Sequence, residues 1–293
     1  MNKVNVQTVD QLLQQAQFRE SFKAMPQGDT FKDLSTICII PIPGPLTEKK
    51  FLNCKKCKTK NEYESWQFSG LHPMFVEAYK RLVRPMNVPY LEMMPSGYEV
   101  GDAYNKAIEM ILGNPALNKF KFVLTVEYDN IVPFIPNSQG PLMMLYETIE
   151  KGFDVAGGLY WTKGIPSMPL IYGDPKEGRK SPAGMFKVIH PTHKPKPKGW
   201  KPGQIVTGEW RDGDIIECNG MGMGFTLFKL DLFKDKKIKK PWFETRSDHG
   251  KNGPRQYTQD LAFFEKFRQQ DYRCAINTNV KVGHLDFRTG QPF

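Results

Sequence analysis

The stretch Lys121–Pro133 reads KFVLTVEYDNIVP. Phe122–Val126 is a short, nearly unbroken apolar run, the pattern of a strand buried on both faces. It stops at two carboxylates on alternate residues, Glu127 and Asp129, with Tyr128 between them and Asn130 after. In an open α/β sheet, ligands bind beyond the carboxyl ends of the strands. Two acids there, ahead of a Pro-containing loop, suit a divalent cation held against a phosphate-bearing ligand. Two surface acids on a solvated strand end would give the same letters.

Working upstream, Leu34–Ile40 (LSTICII) is rich in β-branched residues and reads as a first strand, ended by Pro41-Ile42-Pro43-Gly44-Pro45. His72–Val83 reads as a helix with Pro73 in its first turn. Tyr90–Met94 reads as a second strand. Gly101–Leu112 reads as a second helix, with Ala107, Ile108, Ile111 and Leu112 facing the core. Strand–helix–strand–helix–strand is half of a doubly wound parallel sheet. Residues 34–153 form this expected nucleotide-binding half. Residues 1–33 are expected to hold a short helix, opened by the capping-box spacing Thr8–Gln11, and a polar linker.

Downstream, Gln139–Lys151 reads as a helix and Asp154–Trp161 as a strand containing Gly157 and Gly158. Glycines inside a strand often mark the close approach of another group. Pro169–Tyr172 and Met185–Ile189 are expected to form a small antiparallel excursion. Ile215–Cys218 and Gly224–Phe228 read as strands flanking Asn219-Gly-Met-Gly-Met-Gly224, where alternate glycines let the backbone pass tightly. Ser247–Gln256 is polar and is expected to be a mobile loop. Thr258–Gln270 reads as a helix N-capped by Thr258, with Leu261, Phe264 and Phe267 on its apolar face and Asp260 in its first turn. Arg273–His284 supplies the last strands. The domain is expected to continue through 154–293 as the acceptor and metal half.

The chain has 293 residues, with 41 Lys and Arg against 31 Asp and Glu, a net charge of +10. That excess favours an anionic partner. Much of it lies in Lys49–Lys60, Lys187–Lys201 and Lys234–Lys240, although solvated loops would account for each cluster singly. No apolar run is long enough to span a bilayer, and the N-terminus lacks the pattern of a signal peptide. A soluble, cytoplasmic protein without membrane insertion is the expectation. Five cysteines, of which only Cys54 and Cys57 are close, do not form a disulfide framework. A lone CxxC lacks the four ligands of a structural zinc site. Gly173–Ser181 misses the phosphate-loop pattern, because Arg179 stands where that loop needs its lysine context and Pro182 blocks the following helix. Trp161 and Trp200 are candidates for sugar stacking or for ordinary packing. His190 and His193 read as surface residues.

The order of these pieces resembles the nucleotide-sugar glycosyltransferases of the GT-A fold, over roughly Leu34–Leu285. A buried strand ends in Glu127-Tyr128-Asp129, a glycine-bearing strand and a glycine-rich turn follow, then a helix opening Gln259-Asp260, then a strand ending Gly283-His284. The resemblance implies an α/β, Rossmann-like, mixed and mainly parallel sheet flanked by helices. It implies that Asp129 and His284 hold Mn²⁺ or Mg²⁺, with Glu127 and Tyr128 near the ribose or a metal-bound water. Pro41 and Ile42 would lie against the nucleoside. Gly158, Gly222 and Gly224 would border the donor sugar. Asn105 matches an Asn that contacts diphosphate or base, but Tyr104 replaces the Arg that commonly precedes it. Asp260 would be the base of an inverting reaction, but Gln259 replaces the Glu of the usual pair. The implied activity is metal-dependent transfer from a nucleotide-sugar, a UDP-sugar, to an acceptor hydroxyl. The basic clusters extend this to a DNA acceptor with hydroxymethylated bases, of the kind a virus-like setting would offer. A saccharide or protein acceptor, or a non-catalytic nucleic-acid-binding protein on the same fold, fits the same letters.

Overall fold

The structure is a computed structural model. It describes residues 33–42, 71–133, 135, 139–163, 165–176, 187–250, 253–287 and 289–293, without side chains at 247–250 and 253–257. The expected N-terminal helix, the Cys54–Cys57 segment, the first basic cluster and residues 177–186 lie outside the described residues.

In chain order the elements are β1 (Thr36–Ile39), α1 (Pro73–Lys80), β2 (Tyr90–Met93), α2 (Val100–Gly113), β3 (Phe122–Val126), β4 (Asn130–Ile131) and α3 (Pro141–Glu150). Then follow β5 (Val155–Leu159), β6 (Ile171–Tyr172), β7 (Ile205–Val206), β8 (Ile215–Cys218), β9 (Gly220–Met221) and β10 (Phe225–Lys229). The chain closes with β11 (Arg246–Gly250), β12 (Gly253–Tyr257), α4 (Gln259–Arg268), β13 (Cys274–Lys281), β14 (Gly283–Asp286) and β15 (Gln291–Pro292).

The main sheet has the order β2-β1-β3-β10-β5-β13-β8-β7. Four of its seven neighbour pairings are parallel, β1–β2, β1–β3, β5–β13 and β7–β8. The other three, β3–β10, β5–β10 and β8–β13, are antiparallel. Alternation along the strands divides the core. Ile37, Ile39 and Val123 pack with Tyr104, Ile108 and Ile111 of α2 and Phe263, Phe264 and Phe267 of α4. Cys38, Ile40, Leu124 and Val126 pack on the other face, with Phe75 and Tyr79 of α1 and Leu142, Leu145 and Tyr146 of α3. The result is the expected α/β architecture, a mixed sheet covered by helices on both sides.

Helix starts follow from local chemistry. His72 caps α1, its Nδ1 accepting from Met74 N at 3.2 Å, and Pro73 fills the first position. Glu99 caps α2 by accepting from Gly101 N at 2.8 Å. Three expectations are corrected. Ser247–Gln256 is no loop, because β11 and β12 form a two-stranded antiparallel hairpin there. The apolar face of α4 is centred on Phe263 rather than Leu261, since Phe263 stacks on Phe243 at 4.9 Å. Thr258 does sit at the N-cap, but makes no capping bond; its hydroxyl bonds the Asp260 carboxylate instead. The antiparallel excursion exists as β6 pairing with β9 and as a single bridge from Tyr172 to Val188.

Candidate active site at the carboxyl rim of the sheet

β1, β3 and β5 run in one direction, so their carboxyl ends share one rim. β10 runs the other way and begins there, which brings the Gly222–Gly224 turn to the same place. Glu127 N accordingly bonds Gly224 O at 3.0 Å. After β13, the chain turns into β14, which pairs antiparallel with β4 and sets His284 opposite Asn130. Leu285 N bonds Asp129 O at 2.7 Å. Asp129 and His284, remote in sequence, therefore stand on adjoining rungs of one small ladder.

Their side chains converge. His284 Nδ1 lies 2.8 Å from the Trp161 carbonyl. A carbonyl only accepts, so Nδ1 carries the hydrogen and Nε2 is left facing Asp129 Oδ2 at 3.4 Å. The Tyr160 ring meets His284 edge-on at 5.4 Å and 89°, holding the imidazole plane. Lys163 Nζ reaches the same Asp129 Oδ2 at 2.5 Å. Asp129 Oδ1 takes the Asn130 amide at 3.2 Å.

Two neighbouring carboxyls are pushed apart in proton affinity. Burial raises Asp129, but the His284 hydrogen bond and the Lys163 charge outweigh it and hold the carboxyl down at about 2. Burial, and then repulsion from Asp129 and Asp260, raise Glu127 to about 8. Burial also raises Asp260, against the bonds it accepts from Thr258 and Leu261 N. At neutral pH Asp129 is ionised while Glu127 keeps a proton, the separation of roles that acid–base sites use. Tyr104 is fully buried with its hydroxyl unpartnered, and the Glu127 charge bears on it most strongly after burial.

A small divalent cation fits Asp129 and His284. Two donors each about 2.1 Å from one cation lie roughly 3 to 4 Å apart, and these lie 3.4 Å apart. The Nδ1 bond to a carbonyl is the usual support for a metal-ligating imidazole. Three neighbouring, half-buried acids mark a place where added positive charge relieves repulsion. Among the described residues no cluster of three His, Cys, Asp or Glu is disposed to hold a metal. The set is thus one for a cation that keeps water or phosphate oxygens as its other ligands.

The remaining expected residues divide. Asp260 lies near enough for its charge to bear on Glu127, Tyr160 and Tyr172. Tyr128 lies at the rim, stacked on Phe287 at 5.3 Å and 8°. Pro41 is buried, and Ile42 N bonds Pro95 O at 2.9 Å as β1 leaves the sheet. A Cβ on Gly222 would sit 2.1 Å from the Tyr160 hydroxyl, one on Gly224 2.0 Å from Asn130 Oδ1, and one on Gly158 2.8 Å from Val282. These glycines serve close packing around Tyr160, Asn130 and β13. Asn105 bonds both the carbonyl (2.7 Å) and the N–H (3.1 Å) of Phe243, tying α2 to the chain before β11. Any diphosphate or base contact would have to share its amide with those bonds. Trp161 packs on Trp210 at 6.5 Å, and Trp200 Nε1 donates to Asp214 at 2.9 Å.

Tyr160 and Lys163 were not anticipated. Both follow the carboxyl end of β5, and the strand-end rule that singled out Glu127 and Asp129 applies equally to them.

No family model and no curated protein sequence matches the chain. Among solved structures it is similar to the crystal structure of A197 from STIV, at 17% identity over 86% of each chain and a TM-score of 0.46. It is also similar to a UDP-glucose pyrophosphorylase complexed with UDP-glucose, at 11% identity over 85% of this chain and 93% of that one, TM-score 0.41. An apo UDP-glucose pyrophosphorylase matches at 10% identity over 93% of this chain and 81% of that one, TM-score 0.38. The functional reading below stands on the chain's own geometry.

Proposed function

We propose that this protein is a metal-dependent glycosyltransferase that moves a sugar from a nucleotide-sugar, a UDP-sugar, to an acceptor hydroxyl. The observation that carries the reading is the convergence of Asp129 Oδ2 and His284 Nε2 at 3.4 Å, with the imidazole oriented by the Trp161 carbonyl. Mn²⁺ or Mg²⁺ bound there would bridge the donor phosphates and offset charge on the departing nucleoside diphosphate. Asp129 supplies the ionised oxygen, and Mn²⁺ tolerates the imidazole beside it. Glu127 can hydrogen-bond a ribose hydroxyl, donating when protonated and accepting once a bound cation ionises it. Asp260 Oδ1 accepts from Leu261 N at 2.9 Å and from the Thr258 hydroxyl. The other oxygen has no hydrogen-bond partner among the described residues. That oxygen would take the acceptor proton in an inverting reaction, and its raised proton affinity would improve it as a base near neutral pH.

DNA carrying hydroxymethylated bases is the acceptor this reading favours. Lys194, Lys196, Lys198 and Lys201 are exposed along one ribbon. The ribbon is linked to the site through Trp210: Thr192 N bonds Trp210 O at 2.8 Å, and Trp210 packs on Trp161, whose carbonyl bonds His284. Duplex DNA would have to expose its base by flipping. Incubation with UDP-sugars and Mn²⁺ tests the activity, with release of UDP expected and release of UMP with sugar phosphate, or no product, counting against it. DNA binding that weakens steeply between 50 and about 200 mM salt is expected for the acceptor; binding indifferent to salt removes DNA from the proposal.

A further inference from the structure

The Asp129 carboxylate is crowded on one side. Oδ1 takes the Asn130 amide, while Oδ2 both accepts from Lys163 Nζ at 2.5 Å and faces His284 Nε2 at 3.4 Å. The oxygen a cation would share with His284 is the one the lysine already holds. The side chains of Asp129 and His284 are only 15% and 16% exposed. An ammonium and a divalent cation on one oxygen in so little water repel strongly, and one must leave.

The lysine is the partner able to move. Its loop is fixed at the base: Thr162 N bonds Met168 O at 2.8 Å, Leu170 N bonds Tyr160 O at 3.0 Å and Ser167 Oγ donates to Thr162 O at 2.6 Å. The Lys163 side chain itself is 32% exposed. Its other contact among the described residues is the face of Phe287 at 5.9 Å, a weak cation–π approach. Once off Asp129, the ammonium keeps only the longer-range attraction of Glu127, whose carboxyl its charge already lowers. A ligand bearing phosphates at this rim would supply the missing anion, and a flexible ammonium is a common phosphate donor.

We propose that Lys163 is the resident counter-charge of Asp129, that it yields Oδ2 to a divalent cation, and that it then contacts the donor's phosphates. This inference rests on the cation reading of Asp129 and His284 given above. It makes cation and nucleotide each strengthen the other's binding, because the cation frees the lysine the nucleotide uses.

The test is Mn²⁺ binding to the full chain, followed by the electron paramagnetic resonance signal of free Mn²⁺, with and without UDP. Lys163→Met should bind Mn²⁺ alone about tenfold tighter than wild type, the worth of one removed ion-pair competitor. UDP should then tighten Mn²⁺ binding less in Lys163→Met than in wild type. Lys163→Arg keeps the charge and grips a carboxylate with two N–H groups, so it should bind Mn²⁺ no tighter than wild type. Unchanged or weaker Mn²⁺ binding by Lys163→Met, or tighter binding by Lys163→Arg, overturns the inference and leaves the cation site standing. No Mn²⁺ binding by wild type or Lys163→Met, with or without UDP, overturns both.

Discussion

Glu127 is where the structure makes its most measurable demand. Its carboxyl is raised from 4.5 to about 8, by burial first and then by Asp129 and Asp260. A native state that holds a proton more tightly than the unfolded chain is most stable at low pH and loses that advantage as pH climbs to the native value. The shift corresponds to about 5 kcal/mol in full, of which about 4 falls between pH 5 and 8.5. Some water reaches Glu127, so a measured loss of about 2 to 4 kcal/mol is expected. Asp260, also raised, adds to the slope with the same sign. Asp129 has the opposite sign, but its window lies between about 2 and 3.8 and does not interfere. Urea unfolding at fixed pH values, with a constant denaturant slope, reads the effect directly. Glu127→Gln should flatten most of the profile and be the more stable protein at pH 8.5. Mn²⁺ should flatten the wild-type profile as well, since it favours the ionised carboxylate. A wild-type stability that is level from pH 5 to 8.5, or an equal slope in Glu127→Gln, would show that Glu127 is not held as described.

Asp129→Asn and His284→Ala should each remove the thermal stabilisation given by UDP with Mn²⁺, about 2.7 kcal/mol for wild type at a hundredfold excess over Kd. Retention of that stabilisation by both variants would count against the shared cation. Asp260→Asn should lower kcat about 10²- to 10⁴-fold with little change in UDP affinity, and the wild-type rate should rise with pH as Asp260 ionises. An unaltered kcat would leave Asp260 with a structural role only. Gly224→Ala places a methyl on Asn130, which is fully buried beside Asp129; it should cost about 1 to 3 kcal/mol in urea unfolding and weaken Mn²⁺ binding. Normal stability in that variant would mean the turn relaxes freely.

The alternating elements were legible because their patterns are local. Phe122–Val126 is an unbroken apolar run with acids at its end, and β3 has those very bounds. Pro73 and the periodic Ala107, Ile108 and Ile111 announced α1 and α2 in the same way. Sheet order was not legible. The insertion of β10 between β3 and β5 depends on pairings 69 and more residues apart, which leave no periodic trace. The polar segment 246–257 hid a hairpin because its strands lack the alternation of a half-buried sheet. At the site, the pairing of Asp129 with His284 could be inferred only from a resemblance, whereas Lys163 lies among Gly and Pro residues with no motif around it. The glycines of 220–224 were legible as tight turns, but the neighbours that require them, Tyr160 and Asn130, are known only from the fold.

The short ladder joining β14 to β4 has an architectural corollary. The proposed cation site would draw Asp129 from the end of β3 but His284 from an appendage, since the eight-stranded sheet is complete once β13 ends at Lys281. A chain stopped after Val282 should still assemble that trunk, yet arrive without its imidazole and without the Leu285 N–H that anchors the Asp129 backbone. Folding and the proposed ligand capture would thereby be separable by a single cut, which offers a matched scaffold for any study of what this rim attracts.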